Sequence, residues 1–220
     1  MKAVESAVFV PWVENFGFLS TFWDNLRLLL RRAGARRLEM MAEEEGALAE
    51  KAKSGDREAF EELVDLYHQR IFALSCSLIG DYHAAQDAAQ ETFLRAFKGI
   101  ETLREPSKIG KWLAGIAYKV SKTHIRNEAR KGAVFRPGFP DSLAFLVKEA
   151  PDGDLRKRVV DAANSLPADS RALLALKYLE GLSYADIAQI MGIEDKTVKS
   201  RLHTARRQLR EKLGSYRPAE

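Results

Sequence analysis

Lysine and arginine side chains are concentrated in two short stretches of the sequence, and cations at that density can bind a polyanion. Residues 103–131 carry eight bases against two acids, and residues 196–213 carry seven bases against one acid. Residues 43–66, in contrast, carry nine acids against three bases. Because the net charge is only +4, the two blocks rather than the whole chain indicate a polyanion that is bound at two places.

The residue types that catalyse reactions or bind metal ions are few and scattered. The four histidines share no metal-ligand spacing: His68, His83, His124 and His203. The single cysteine, Cys76, lies in an apolar stripe and is interpreted as a buried core residue. No glycine-rich phosphate loop is present. We therefore expect no enzyme, no cofactor, no metal site and no small-molecule substrate.

The second basic block lies in a segment with the layout of a helix-turn-helix. Ser183 and Asp186 have the spacing of a capping box, and Gly192 permits a tight turn. The following helix is predicted to bury one stripe: Val198, Leu202, Ala205, Leu209 and Leu213. Its outer face then holds Lys196, Lys199, Ser200, His203, Arg206, Arg207 and Arg210. A cationic face alone also fits a solvated surface, but the cap, the turn and the stripe together favour binding in the DNA major groove.

The elements that must position these residues are all predicted to be helices. Apolar residues recur at threes and fours in DREAFEELVDLYHQRIFALSCSLI, and Gly80 and Asp81 end that pattern. Two further helical segments follow, HAAQDAAQETFLRAFKGI and SKIGKWLAGIAYKVSKTHIRNEARK, and then GAVFRPGFPD, a linker by composition. DLRKRVVDAANSL and PADSRALLALKYLEG precede the helix-turn-helix. The sequence predicts an all-α protein of two small helical domains joined by a flexible linker.

The domain boundaries follow from these shifts in composition. We expect an amino-terminal extension at 1–42, a first helical domain at 43–131, a linker at 132–154 and a second helical domain at 155–216. The extension mixes aromatic residues and leucines with a basic end. It fits an amphipathic surface helix, a segment packed on the body, or translated upstream sequence.

Both helical domains resemble the extracytoplasmic-function (ECF) class of bacterial sigma factors. Residues 155–214 resemble the fourth conserved region of that class, most clearly in YLEGLSYADIA and TVKSRLHTARRQL. Residues 57–131 resemble its second region, in DAAQETFLRAF and KWLAGIA. The resemblance covers about two-thirds of the chain, and the third sigma region is missing, as is usual for the class. It implies a cytoplasmic alternative sigma factor that binds core RNA polymerase and promoter DNA and is controlled by an anti-sigma factor.

The resemblance also assigns a polymerase-binding surface. Asp87, Gln90 and Glu91 match the family pattern D-x-x-Q-E, which docks onto the clamp helices of the polymerase largest subunit. Their spacing of three and four residues places them on one side of a helix. Without the resemblance, a solvated acidic helix face would be the better explanation of these residues.

Two further sets of residues are implied to bind DNA. The minus-ten set lies on the third helix and the loop before it: Lys108, Lys111, Trp112, Lys119, Lys122, Thr123 and Arg126. Trp112 belongs to the family's W-L-x-x-I-A pattern and is interpreted mainly as a core residue. The family often has Phe at 109, Asn at 119 and Asp at 123, so Ile109, Lys119 and Thr123 depart from it, and Lys119 favours phosphate contact. The minus-thirty-five set is Lys196, Thr197, Lys199, Ser200, Arg201, His203, Thr204 and Arg207.

Two other functions are compatible with parts of the sequence. A helix-turn-helix regulator that acts without polymerase would carry a ligand or phosphoacceptor domain in place of residues 57–131. A membrane-surface adaptor would use the amino-terminal segment and leave the basic helix at 196–213 unexplained.

The first 40 residues are predicted to be dispensable for transcription. They precede both matched domains, and Met40 and Met41 offer alternative starts. A chain that begins at Met41 should support promoter-dependent transcription when core polymerase is added. A folded but inactive product would show that the segment has a function in initiation.

Overall fold

The protein is all-helical in the part that the structure describes. This computed structural model describes the backbone of residues 35–130 and 161–213, with side chains from residue 43 onward in those ranges. The helices are α1 (Ala35–Lys53), α2 (Arg57–Ile79), α3 (Tyr82–Gly99), α4 (Ile109–Arg130), α5 (Ala168–Tyr178), α6 (Tyr184–Met191) and α7 (Asp195–Leu213). Short 3-10 turns at Ile100–Thr102 and Pro106–Lys108 connect α3 to α4. None of the described helices is long and apolar enough to cross a membrane.

The break predicted at Gly80 and Asp81 is a pair of opposed helix caps. Gly80 adopts φ 76°, in the left-handed region, and its N–H donates to the carbonyl of Cys76. The Asp81 carboxylate then accepts from the N–H of Ala84 and begins α3. Asp56 begins α2 in the same way, through the N–H of Ala59. These caps fix where the chain turns and so bring α2 and α3 side by side.

Residues 45–130 form a first group of helices, called here the amino-terminal bundle. The predicted stripe of α2 is confirmed: Phe60, Leu63, Tyr67, Ile71, Leu74 and Leu78 are buried, with Val64 partly buried. They pack against α3 and α4. The carboxyl end of α1 joins this core through Ala49 and Ala52, which are buried. A chain cut at Met41 would therefore keep the side chains by which α1 enters the core.

Residues 161–213 form the carboxyl-terminal bundle. Residues 161–164 are helical, and α5, α6 and α7 follow. The predicted capping box is confirmed, with the Ser183 hydroxyl accepting from the N–H of Asp186 and the Asp186 carboxylate accepting from the N–H of Ser183. Gly192 lies at φ 67° and closes the turn before α7. Of the stripe predicted on α7, Leu209 is only partly buried, whereas the other residues are buried.

The two bundles pack directly on one another, which the sequence did not predict. Helix α2 contacts α5, and α4 contacts α6. Leu173, Leu176 and Leu182 of the carboxyl-terminal bundle belong to the same buried cluster as Leu74 and Leu78. The predicted linker at 132–154 and the segment before residue 35 lie outside the described residues.

Candidate nucleic-acid interface

Helix α7 presents most of the predicted minus-thirty-five residues to solvent. Exposed members of the set are Lys196, Lys199, Ser200, Arg201, His203 and Arg207, whereas Thr197 and Thr204 are half-buried. Two of the cations form exposed ion pairs, Lys196 with Glu194 at 2.8 Å and Arg207 with Glu211 at 3.7 Å. Exposed pairs of this kind are weak. Phosphate groups can therefore displace both carboxylates.

Arg206 does not belong to this outer face, and its placement there was wrong. Its Nε donates to the hydroxyl of Tyr178 at 2.7 Å, and its guanidinium lies 5.7 Å from the centre of that ring. Burial raises the pKa of the Tyr178 hydroxyl, and the charge of Arg206 acts to lower it. Arg206 thus fastens α7 to α5 in the described structure.

The predicted minus-ten residues lie along α4 and the turn before it, but their surroundings differ. Lys119, Lys122 and Arg126 are exposed. Lys108 is exposed and pairs with Glu105 at 2.6 Å; the hydrogen bond to that carboxylate raises the pKa of the ammonium. The other members are partly buried: Lys111, Trp112 and Thr123.

The side chains of Trp112 and Thr123 pack or hydrogen-bond within the protein. Trp112 packs against the buried cluster, which confirms its interpretation as a core residue. The Thr123 hydroxyl donates to the carbonyl of Lys119 at 2.9 Å, within its own helix. The cations Lys119 and Arg126 are therefore the more accessible of the predicted contacts on α4.

Two of the predicted minus-ten cations contact the opposite bundle. Lys111 Nζ lies 2.5 Å from the Asp186 carboxylate, and Lys122 Nζ lies 3.0 Å from that of Asp169. Partial burial acts to raise the pKa of Asp186, but hydrogen bonds from Lys111 and Ser183 outweigh it, so the pKa is lowered overall. The structure thus brings predicted DNA-binding cations together with acids that no sequence pattern pairs with them.

The predicted polymerase-binding residues form a continuous face on α3. Asp87 and Gln90 are exposed, and Glu91 is half-buried and bound to Arg95 at 2.7 Å. Leu94 and Phe97 extend this face by one and two turns, with 56% and 48% of each residue exposed. Sequence reasoning missed both, although their spacing of four and seven residues from Gln90 is the available signal.

Arg171, which sequence reasoning also missed, hydrogen-bonds across the contact between the bundles. Only 4% of this residue is exposed. Its Nε donates to the carbonyl of Ser77 at 2.7 Å, and its terminal nitrogens donate to Leu166 at 2.6 Å and Leu78 at 3.4 Å. The carbonyls in the last turn of α2 lack helical partners and carry the negative end of the helix dipole. Burial lowers the pKa of Arg171, but a guanidinium stays charged in proteins.

A second buried contact joins Glu180 to Arg70 of α2 at 2.9 Å. The Glu180 side chain has 0% exposure, whereas that of Arg70 is 36% exposed. Burial raises the pKa of this carboxyl, and the opposing effect of Arg70 is smaller. Arg70 also lies 5.0 Å from the ring centre of Tyr67, whose hydroxyl donates to Glu45.

Glu180 should make the stability of the packed structure depend on pH. Because its pKa is raised in the folded protein, the folded state binds more protons than the unfolded state, and stability falls as the pH rises above the ordinary carboxyl value of 4.5. Glu180→Gln keeps the shape but cannot ionise, so its free energy of unfolding should fall less between about pH 5 and pH 8. Urea unfolding across that range measures the slope. Glu211→Gln, at an exposed glutamate, is the control, and identical slopes for wild type and Glu180→Gln would contradict the prediction.

Comparison with known proteins identifies both bundles. Residues 63–131 match the family model described as Sigma-70 region 2, and residues 156–209 match that of Sigma-70, region 4. The RNA polymerase sigma-H factor of Pseudomonas aeruginosa is 33% identical over 175 residues, which span 74% of this chain and 91% of that protein. The ECF RNA polymerase sigma factor SigW of Bacillus subtilis is 31% identical over 179 residues, 73% and 92% of the two chains. The chain belongs to the ECF class of the sigma-70 family.

Solved structures agree with this assignment. The sigma factor RpoE of Bartonella quintana, crystallised with the anti-sigma factor NepR, matches with a TM-score of 0.56 and 26% identity, and the match covers 72% of this chain and 98% of that one. This ECF sigma factor therefore acts in transcription initiation: it binds core RNA polymerase, directs it to promoters and assists their opening. The all-helical expectation and the two sigma regions are both confirmed.

Proposed function

We propose that separate surfaces of this sigma factor bind core polymerase and the two promoter elements. The α3 face formed by Asp87, Gln90 and Glu91, with the exposed side chains of Leu94 and Phe97, binds the clamp helices of the polymerase largest subunit. The observation that carries this proposal is an apolar pair exposed beside acids on one helix face. Protein interfaces commonly combine an apolar centre with a polar rim.

The two DNA elements are assigned to α4 and α7. The cations of α4 with Lys108 bind the melted minus-ten strand, and the exposed face of α7 binds the minus-thirty-five duplex. Aromatic and cationic groups suit unstacked bases and phosphates, whereas a helix face suits the major groove. The proposed boundaries are 43–131 and 155–216 for the two domains, with 132–154 between them and 1–42 before them.

The proposed function also implies a regulatory partner and a location in the cell. An anti-sigma factor is the expected regulator, because the Bartonella relative was solved in complex with one. The protein acts in the cytoplasm, where RNA polymerase is found, and carries out no catalysis of its own. Reconstituted transcription tests this: core polymerase should yield promoter-specific transcripts from a randomised template library only when the chain is added, and transcripts independent of the chain would contradict it.

Substitutions on α7 should separate base reading from phosphate binding. By position in the motif, Lys199, Ser200, His203 and Thr204 are the groove contacts, and Arg201 and Arg207 lie nearer the phosphates. Lys199→Ala should cost ~1–3 kcal/mol on the matched promoter and change sequence preference, whereas Arg207→Ala should weaken all DNA alike and reduce the salt slope by about one.

The measurement is binding to matched and scrambled duplexes across a salt series. Ser165→Ala, at an exposed residue of the carboxyl-terminal bundle that belongs to neither predicted DNA-binding set, serves as the control. Equal loss on both duplexes for Lys199→Ala would remove this residue from the base readers, since a flexible ammonium serves phosphates as well.

A further inference from the structure

The last two residues of α5 each contact a different helix of the helix-turn-helix. Lys177 Nζ donates to the carbonyl of Leu182, in the turn before α6, at 2.9 Å, and lies 5.0 Å from the ring centre of Tyr184, the first residue of α6. The Tyr178 hydroxyl accepts from Nε of Arg206 on α7 at 2.7 Å. The end of α5 therefore binds α6 with one side chain and α7 with the next.

These contacts form a cluster of two phenols and two cations. All four residues are half-buried: Lys177, Tyr178, Tyr184 and Arg206. Burial raises the pKa of the Tyr178 hydroxyl, so the phenol stays neutral and its oxygen accepts a hydrogen bond from the guanidinium. A guanidinium holds its donors in a rigid planar fork. The contact with Tyr178 therefore fixes the direction in which Arg206 leaves α7 as well as its distance from α5.

The helical repeat couples Arg206 to a predicted base reader. Lys199 precedes Arg206 by seven residues, or about two turns, so the two side chains leave α7 within ~20° of one direction. Rotation of α7 by ~20° about its axis moves a group at its outer radius of ~5–6 Å by about 2 Å. That shift exceeds the distance range of a hydrogen bond to a base edge. The buried stripe of Val198, Leu202 and Ala205 restricts the rotation less sharply, because apolar contact is not directional.

We propose that Lys177 and Tyr178 are positioning residues for reading the minus-thirty-five element. Lys177 fixes the start of α6, and Tyr178, through Arg206, fixes the rotation of α7 about its axis. Both act on discrimination between promoter sequences. The electrostatic attraction to phosphates comes from the exposed cations of α7 and depends little on that rotation. This inference rests on the proposed assignment of α7 to the minus-thirty-five duplex.

Removal of one hydroxyl tests the role of Tyr178. Tyr178→Phe keeps the ring and loses the oxygen that accepts from Arg206. Core polymerase with this variant transcribes a library-selected promoter and the same promoter with a scrambled minus-thirty-five element. The ratio of the two transcript yields should fall about three- to tenfold, because a displaced base-reading contact forfeits a factor of about five or more. Circular dichroism at the assay temperature should match that of wild type.

Three further variants sharpen the test. Tyr184→Phe is the matched control, since it loses a hydroxyl from the same cluster and keeps the ring beside Lys177, so its ratio should stay within about twofold of wild type. Lys177→Met should lower the ratio in the same direction as Tyr178→Phe. The double variant Tyr178→Phe with Arg206→Met should lose no more discrimination than the larger of the two single losses, because both changes remove one contact.

The outcomes separate positioning from a purely structural role. A lower ratio for folded Tyr178→Phe, with Tyr184→Phe unchanged, supports the proposal. Equal losses on the two promoters, an unchanged ratio for Tyr178→Phe, or losses that multiply in the double variant overturn it. A wild-type protein that does not distinguish the two promoters overturns the assignment of α7 and this inference with it. Equal discrimination by wild type and Tyr178→Phe overturns the inference alone.

Discussion

Reversing Asp87 and Glu91 to lysine is expected to reduce the affinity for core polymerase by roughly thirtyfold or more. Loss of charged partners in a desolvated interface costs ~2–5 kcal/mol, and ~1.4 kcal/mol corresponds to a factor of ten. In the proposed docking, reversal also places cations opposite a basic clamp surface. A pull-down of core polymerase measures the loss, and circular dichroism confirms that the variant is folded.

The structure refines the design of this experiment. Glu91 binds Arg95 at 2.7 Å, so Glu91→Lys also creates a like-charge pair within α3, at a cost of about 0.2–0.5 kcal/mol. Asp87→Asn with Glu91→Gln removes the acids without that repulsion and should lose affinity in the same direction. Glu61→Lys with Glu62→Lys makes the same charge change on the exposed side of α2 and should bind normally.

The apolar part of the α3 face provides an independent variant. Leu94→Ala with Phe97→Ala leaves every charge in place and removes the exposed apolar groups. If the face binds polymerase as a unit, this variant also loses affinity. If the folded variant with Asp87 and Glu91 reversed to lysine bound core polymerase as tightly as wild type, that result would contradict the assignment of this face.

Replacing Arg171 is expected to have the largest effect on stability among the substitutions considered. Arg171→Met fills similar space but leaves the carbonyls of Ser77, Leu78 and Leu166 without the donor that now serves them. Each buried acceptor left without a partner costs ~1–3 kcal/mol. The variant no longer buries a charged guanidinium, and this gain offsets part of the summed cost. A net loss of about 2–4 kcal/mol is therefore expected, a fall of about 4–16 °C in Tm for a protein of this size.

Thermal unfolding with two controls tests this expectation. Arg95→Met removes an arginine from an exposed pair and should change stability by no more than about 0.5 kcal/mol. Arg171→Lys keeps a cation at the end of α2 but not the guanidinium geometry, so its Tm should lie between those of wild type and Arg171→Met. Because Arg171 connects the bundles, its loss should also split a single unfolding transition into two. An unchanged Tm for Arg171→Met would contradict the structural role.

Much of the local structure could be predicted because its causes lie within a few residues of sequence. The stripe of α2, the capping box of Ser183 and Asp186, and the turn at Gly192 each depend on spacings of three or four residues or on one backbone angle. The faces of α3 and α7 follow from the same periodicity. Arg206 was misplaced for a related reason: a helical wheel places it near the outer face, but only the neighbouring helix supplies the hydroxyl of Tyr178.

The packing of the two bundles was decided by tertiary structure alone. Arg171 lies 94 residues from Ser77 in sequence, and no periodic pattern connects them. One signal was present in the sequence. A cation near the start of α5 lies at the positive end of the dipole of its own helix, which is unfavourable, whereas it is stabilised at the negative, carboxyl-terminal end of another helix. The sequence alone determined the helices, their caps and the charged faces, because these depend on short-range backbone geometry. Only the folded structure decided which charges meet, because ion pairs and buried carbonyl contacts form between residues that the fold brings together from distant parts of the chain.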